Sequence, residues 1–386
     1  MQKLAYVVCF ICEHSGKYQR ENSFSICKLP PLSKITIRPA WRFETDSGEE
    51  VDAGLLRLLR AIRDAGSLKL AIQETQVSYR HGWDMLKRAA ELFGSPLVRM
   101  ERGKGARLTV LGEKLLWAEQ RSDASLFPQL DNVASELNLE IRHAREEVQP
   151  VLRLHASHGY AVEKLPQLMA QHGHATMDLQ YMGSVEALAS LSRGQCDLAG
   201  FHVPLGDIGR GLWGHYARWI KPRQEKIIRL VIRTQGLIVA PGNPLGIRTV
   251  ADLARAGVRF VNRQRGSGTR ILLDGLLSEA GIEPGSVEGY GTGEFTHAAV
   301  AAFVSSGMVD VAFGVEPAAR QFKLDFIPVA RERYMLACRN DSLEQGPVQE
   351  LIELLRSNIL HEVLGPVPGY ELDDPGAVVD VKDIVP

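Results

Sequence analysis

Apolar residues recur every three or four positions between residues 51 and 122, the period of amphipathic helices. AGLLRLLRAIRDAG puts Leu55, Leu58, Leu59 and Ile62 on one face and stops at Gly66, and SLKLAIQETQ predicts a second short helix. VSYRHGWDMLKRAAELFG predicts a third, with Ser78 as its N-cap and Trp83, Leu86, Ala90 and Phe93 as its inner stripe. PLVRMERGKGARLTV then reads as two short strands about Gly103-Lys104-Gly105. Three helices followed by a basic hairpin predict an α+β winged helix-turn-helix over residues 50–122.

Helical spacing resumes from Leu111, with Leu126, Leu130, Val133, Leu137, Ile141 and Ala144 as an apolar seam. Pro128 should break or bend this helix near SLFPQ, because proline lacks the N–H that an inner turn needs. Residues 123–149 therefore predict a linker helix that dimerises the chain; a helix lying on its own domain is the alternative. Beyond Pro150 the pattern changes. VLRLHAS, MDLQYMG, CDLAGFHV, GLIVAP, VRFVNR, VEGYG, VDVAFGV and FIPVARERYMLACR alternate with helical stretches, which predicts an α/β fold with mostly parallel strands. Residues 1–45 lack sustained periodicity and read as a disordered extension, as an upstream mis-assigned start would leave. Residues 366–386, with Pro366, Pro368 and Pro375, read as a tail.

Composition alters this picture in two places. The net charge of −1 conceals a surplus of +5 over residues 51–110, which sets a basic module beside a larger acidic one and points to a polyanionic partner for the first alone. Five cysteines is an odd number, and the one C-x-x-C, Cys9 with Cys12, has no second pair at zinc spacing. No metal site is expected, Cys196 and Cys338 read as buried thiols, and the compartment reads as reducing cytoplasm. No apolar run reaches the roughly 18 residues of a membrane span, and a single Lys3 makes a poor signal-peptide start.

On the third helix, Ser78, Tyr79, Arg80 and His81 stand near the start, with Lys87 and Arg88 further along the outer face. That end of a recognition helix enters the DNA major groove. Arg102, Lys104 and Arg107 on the hairpin would meet phosphates. SYRHGWDMLKRAAELFGSPLVRMERGKGARLTVLGEKLL resembles the DNA-binding domain of ModE-type molybdate-responsive regulators. The resemblance is carried by Ser78, Tyr79, Trp83 and Asp84, the glycine-rich wing, and the exit at Leu108, Thr109 and Gly112. The same layout is similar to that of LysR-type regulators. The β-barrel molybdate modules of well-studied ModE proteins are replaced here by the long α/β segment.

Residues 151–365 resemble the periplasmic-binding-protein-like (type II) sensor domain found fused to such modules, clearest at HASHGYAVEKLP, GLIVAPGNPL, NRQRGSGTR and DVAFGVEPAA. The resemblance implies two lobes, lobe two over residues 242–328, with GLIVAPGNP and DFIPVARERYMLAC as the crossings. Ligands of open α/β sheets bind beyond the carboxyl ends of strands, where helices begin. The candidates there are Ser157, His158, Ser184, Arg265, Gly266, Ser267, Gly268, Thr269, Arg270, Thr296, His297 and Glu316. Glycine amides, hydroxyls and helix N-termini suit a small oxyanion, and Glu316 would instead accept from a donor on an organic ligand.

The glycine loop at 265–270 fits neither a Walker A nor a dinucleotide fingerprint, and no G-x-S-x-G or H-E-x-x-H occurs. No catalytic residue and no cofactor is expected. The residues predict a ligand-responsive DNA-binding transcriptional regulator, a homodimer or homotetramer on double-stranded DNA, with no membrane partner. Its effector would be molybdate or tungstate, or a molybdenum-cofactor-related molecule. The alternatives are an enzyme or accessory protein of molybdopterin biosynthesis, or a regulator responding to a small carboxylate such as formate.

Overall fold

The computed structural model describes residues 35–44, 48, 50–51, 54–101, 105–144, 150–173 and 175–384. Arg102 and Lys104 lie outside the described residues, as do residues 1–34 of the expected extension and 145–149 of the expected linker. Among the described residues, no helix is long and apolar enough to cross a membrane.

Strands β1 (Phe43–Glu44) and β2 (Glu50–Val51) pair antiparallel ahead of helices α1 (Leu55–Ala65), α2 (Leu68–Thr75) and α3 (Tyr79–Leu92). An antiparallel hairpin of β3 (Val98–Glu101) and β4 (Gly105–Leu108) follows. Gly66 ends α1 at φ +64°, in the left-handed region that glycine enters without strain. Its carbonyl accepts from the Ala106 N–H at 2.9 Å, which ties the hairpin to the end of α1. Ser67 and Ser78 cap α2 and α3, their hydroxyls accepting from Leu70 N–H and His81 N–H. Leu55, Leu58, Leu59, Ile62, Met85, Leu86, Ala89 and Leu97 close one core, joined by Phe43 and Leu116.

Two expectations are corrected here. The inner stripe of α3 is Gly82, Met85, Leu86 and Ala89, while Trp83 is 39% exposed and stacks edge-on with Tyr79. The reason is Gly82: a Cβ there would lie 3.0 Å from Ile72 Cδ1, so the missing side chain lets α2 and α3 approach and turns Trp83 outward. Nor are residues 35–44 a disordered extension. Asn138 donates to the Ile35 carbonyl and accepts from its N–H, Arg38 stands over the Phe127 ring, and Phe43 is buried.

Helix α4 (Val110–Ala144) runs through Pro128 without the break that was one of the two expected outcomes. Proline deprives the Ala124 carbonyl of its helical donor. The Thr296 hydroxyl supplies the replacement, donating to Ala124 O at 2.9 Å. The lost bond is thus made good from outside the helix.

The α/β region begins with β5 (Val151–Ala156), α5 (Leu165–His172), β6 (Thr176–Tyr181), α6 (Ser184–Ser192) and β7 (Leu198–Pro204). After α7 (Asp207–Leu212) and α8 (Gly214–Ala217), the 15-residue strand β8 (Glu225–Val239) crosses to the second lobe. That lobe holds β9 (Phe260–Arg263), α9 (Gly268–Glu279), β10 (Gly293–Glu294), α10 (His297–Ser305), β11 (Val311–Val315) and α11 (Glu316–Gln321). The return crossing is β12 (Asp325–Arg339), followed by α12 (Asn340–Leu343), α13 (Gly346–Arg356) and α14 (Asn358–Leu364). The expected tail is instead paired structure: β13 (Tyr370–Leu372) and β14 (Val378–Asp380) both lie antiparallel on β8.

One sheet runs in the order β10-β9-β11-β8-β12-β7-β5-β6. The antiparallel pair β8 and β12 is its spine; β7 pairs Glu332–Cys338 of β12, and β11 pairs Gln235–Val239 of β8. Parallel strands flank the spine in each lobe, as the helical crossovers require. The first crossing starts at Glu225, eleven residues before the GLIVAPGNP predicted for it.

Candidate functional site

The carboxyl ends of the parallel strands and the two crossings converge on one buried polar cluster. Ser157 and His158 follow β5, Ser184 opens α6 after β6, and His202 stands on β7. From the other lobe come Arg263 at the end of β9, Ser267 to Arg270 at the start of α9, and His297 at the first position of α10. The crossings add Arg233 and Gln235 from β8 and Glu332 and Tyr334 from β12. All of these side chains are buried, Arg233 and Arg263 to 1% exposure.

The lobes touch through glycine. A Cβ on Gly183 would lie 2.8 Å from the Gly266 carbonyl, and one on Gly268 would lie 2.8 Å from His202 Nδ1. Only a residue without a side chain admits this approach, so the glycines of the loop serve closure of the two lobes. His202 Nδ1 also sits 3.0 Å from Ser184 Oγ and 3.4 Å from Ser157 Oγ, and its ring meets Tyr334 edge-on at 4.2 Å. The Tyr334 hydroxyl donates to the Ser157 carbonyl.

Charge in the cluster is unbalanced. Arg233 Nε donates to Glu332 Oε1 at 2.6 Å, and Gln235 Nε2 donates to the same oxygen at 2.7 Å and to Thr269 Oγ1 at 3.0 Å. Against the downward pull of burial, Glu332 holds the Arg233 guanidinium above its ordinary range. Arg263 has no such partner among the described residues. It donates to the backbone carbonyls of Glu294 and Phe295, and burial, then the charge of Arg233, pull it down to about 9. Burial also pushes His158 down to about 3 and His202 and His297 well below the ordinary imidazole value, with Arg233 and Arg263 adding to the effect. Three neutral imidazoles therefore face a cluster with one uncompensated positive charge.

Several polar atoms in this cluster have no hydrogen-bond partner among the described residues: Arg233 Nη1, Arg263 Nη1, His158 Nδ1, His202 Nε2, both His297 nitrogens, Gln235 Oε1 and Glu332 Oε2. Buried polar groups are almost always paired. So many unpaired atoms at the meeting of two lobes make this cluster the candidate ligand site.

The predicted residues divide. Ser157, His158, Ser184, Ser267, Gly268, Thr269 and His297 lie in or against the cluster, whereas Arg265 and Gly266 are exposed. Arg270 is buried but engaged by the Arg263 carbonyl, Asp274 and the Tyr290 ring. Thr296 caps α10 and serves α4. Glu316 is bound to Arg320 on its own helix. Within the cluster the acid is Glu332, and Arg233 and Arg263 are cations beside Arg270; none of Glu332, Arg233, Arg263, Gln235 or His202 was among the candidates. The signal for Arg233 and Gln235 was a charged or amide residue inside a largely apolar strand, as in IIRLVIRTQ; Glu332 sits between Arg331 and Arg333.

On the N-terminal module, Ser78, Tyr79, Arg80, His81, Lys87, Arg88 and Arg107 are all exposed. Arg80 and Lys87 make only loose surface pairs with Asp84 and Glu91, at 4.0 and 3.9 Å.

Residues 165–356 match the family model described as the PBP superfamily domain. The α/β region is a PBP superfamily domain. The Bacillus subtilis (strain 168) protein YvgK is 34% identical over 202 residues, 52% of this chain and 64% of YvgK, so less than two-thirds of that relative is spanned. A Clostridium pasteurianum protein described by its place in the 5' region of a 2Fe-2S ferredoxin gene is 36% identical over 110 residues, 28% of this chain and 97% of that protein. The chain belongs to the same family as the Clostridium protein. The molybdenum-pterin-binding protein MopB of Rhodobacter capsulatus is 33% identical over 98 residues, 24% of this chain and 36% of MopB. Among solved structures, the OxyR C206 mutant of Corynebacterium glutamicum is similar at a TM-score of 0.41 and 16% identity, over 83% of this chain and 94% of that one.

Proposed function

We propose that the chain is a ligand-responsive DNA-binding regulator of ModE-like and LysR-like organisation, whose PBP superfamily domain senses a small anion. The observation that carries this is Arg263: a buried guanidinium whose only acceptors among the described residues are backbone carbonyls, beside neutral imidazoles and hydroxyls from both lobes. An anion bound there would supply the missing charge and hold the lobes together. The partial identity with MopB supports molybdate, tungstate or a molybdenum-cofactor-related molecule as candidate ligands, and formate represents the carboxylates.

The DNA-facing side of this reading is the winged helix-turn-helix, with α3 as its recognition helix and Ser78, Tyr79, Arg80, His81, Lys87 and Arg88 toward the groove. Arg107, with Arg102 and Lys104, would contact phosphates. Helix α4 supports a route between the two functions. Its first half bonds lobe two: Lys114 to Ser306 O, Trp117 to Ala302 O, Ser125 to Glu294, and Ala124 O to Thr296. Its second half bonds lobe one: Asn132 pairs with both backbone groups of Tyr181, and Ser135 donates to Asp178. Phe127, between them, packs against His158 and Tyr181. A change in lobe spacing must therefore move α4, whose start packs on the DNA-reading core through Leu116 and the Arg60–Glu119 ion pair. Leu126, Val133 and Leu137, exposed at seven- and four-residue spacing on α4, support a homodimer through this helix.

The test is binding to the protein's own promoter DNA at several salt concentrations. The double variant Arg80→Ala with Lys87→Ala is expected to weaken binding and reduce the salt slope by about 2, one for each lost phosphate contact. Unchanged affinity and slope would remove α3 from the DNA interface.

A further inference from the structure

We infer that the cleft takes a monoanion that carries its own hydroxyl or N–H donors, and that Glu332 is the residue that reads them. This rests on the cleft being a ligand site and chooses among the ligands that reading leaves open.

Charge gives the first half of the argument. Arg233 and Glu332 neutralise one another at 2.6 Å, Arg270 is matched by Asp274 at 3.3 Å, and the three imidazoles are neutral. The acid opposite Arg263 in the β9–β10 register, Glu294, turns its carboxylate to Ser125 and Arg121 on α4. Glu163, 3.5 Å from His158 Nε2, is matched by Lys164 at 3.0 Å. Among the described residues one positive charge is left over, that of Arg263, and a single negative charge completes the cluster. A dianion would leave an excess charge of the opposite sign in a buried site, at a desolvation cost that burial makes large.

The unpaired atoms give the second half. If the ligand were acceptor-only, the cleft would need donors alone. Arg233 Nη1 and Arg263 Nη1 are such donors, and each neutral imidazole can present one N–H. Glu332 Oε2 and Gln235 Oε1 are acceptors only, on side chains buried to 0% exposure and without a donor among the described residues. Gln235 cannot turn round to relieve the mismatch, because its nitrogen is held by Glu332 Oε1 and Thr269 Oγ1 together. A fully deprotonated tetrahedral oxyanion would leave these two oxygens unpaired and set its own charge against the carboxylate of Glu332. One hydroxyl or N–H on the ligand satisfies one of them, and two satisfy both. Glu332 thus takes the part that the sequence suggested for Glu316, from the crossing strand instead of the strand exit.

The experiment is isothermal titration of the full chain at pH 6 with two matched probe pairs. Glycolate and acetate carry the same charge and differ by one hydroxyl. Inorganic phosphate, a hydroxyl-bearing monoanion at that pH, is set against sulfate. Glycolate and phosphate are expected to bind at least about 10-fold more tightly than their partners, since a site built to bond a donor rejects the analogue lacking it. Glu332→Gln is expected to bring both ratios close to one. Equal affinities within both pairs, or molybdate binding as tightly as phosphate, would overturn the inference while leaving the cleft as an anion site. Ratios unchanged in Glu332→Gln would remove Glu332 from the reading of the donor. If that variant does not fold, the wild-type ratios decide alone. No heat from any of these anions, tungstate and formate included, would overturn the cleft reading and this inference with it.

Discussion

The protein uses arginine in two opposite ways, and the contrast separates its two halves. On α3, Arg80 and Arg88 stand in solvent, and the nearest carboxylate to Arg80 is 4.0 Å away. Water already solvates these charges, so they need no partner, cost the fold little, and remain available to a polyanion. In the cleft, Arg233 and Arg263 are buried to 1% exposure, and each charge must be answered locally. Arg233 is answered by Glu332; among the described residues Arg263 is answered only by carbonyls. An exposed cation thus says little about what it meets, whereas a buried one defines its missing partner by charge and by the atoms left unpaired.

The strongest way to break this comparison is Arg263→Met. With the unmatched charge gone, anion-dependent stabilisation in a thermal-shift assay is expected to vanish, a loss on the order of 100-fold in affinity or about 3 kcal/mol. A retained shift would show that another group holds the anion.

Coupling between cleft and α4 gives the next largest effect. Thr296→Val removes an N-cap and leaves the Ala124 carbonyl without a donor, so denaturant unfolding is expected to show a loss of about 2–4 kcal/mol. Pro128→Ala restores the missing N–H within α4. The double variant should therefore be less impaired than the two single changes predict together. Simple additivity would mean that the hydroxyl does not substitute for the proline's missing donor.

Smaller per unit, but distinctive, is the response to acid. His158, His202 and His297 titrate lower in the folded chain than in the unfolded one, where the ordinary value is 6.5. Below that value the unfolded chain binds more protons, so stability is present above pH 6.5 and falls as pH drops toward about 3, the value for His158. The slope should be about 1.4 kcal/mol per pH unit for each imidazole. Thermal melts between pH 7 and 5 check it, and His297→Gln should flatten the curve. The exposed half supplies the contrast: Arg80→Ala with Lys87→Ala should leave stability within about 0.5 kcal/mol of wild type.

The three helices, the hairpin and the strand–helix alternation could be read from periodicity, because burial of one face imposes it on the sequence whatever the neighbours are. The cleft was half legible. Ser157, Ser184 and Ser267 sit at strand exits marked by glycine and hydroxyl residues, a local signal. Arg233 carried no local signal beyond a charge in an apolar run, Glu332 lay between two arginines, and the two meet across 99 residues of chain. Trp83 was misplaced because helical spacing alone admits neighbouring faces, and the packing of Gly82 on Ile72 selects between them. The break expected as one outcome at Pro128 is absent for a related reason: proline's cost is local, but its remedy, Thr296, lies 172 residues away.

The sequence by itself determined the elements, their order, and a basic module joined to an acidic α/β domain, since periodicity and charge are properties of short stretches. Only the tertiary structure decided which charges are buried, which of them are answered, and that one helix binds both lobes. Desolvation and hydrogen-bond pairing depend on what surrounds an atom in space, and the chain folds those surroundings together from distant segments.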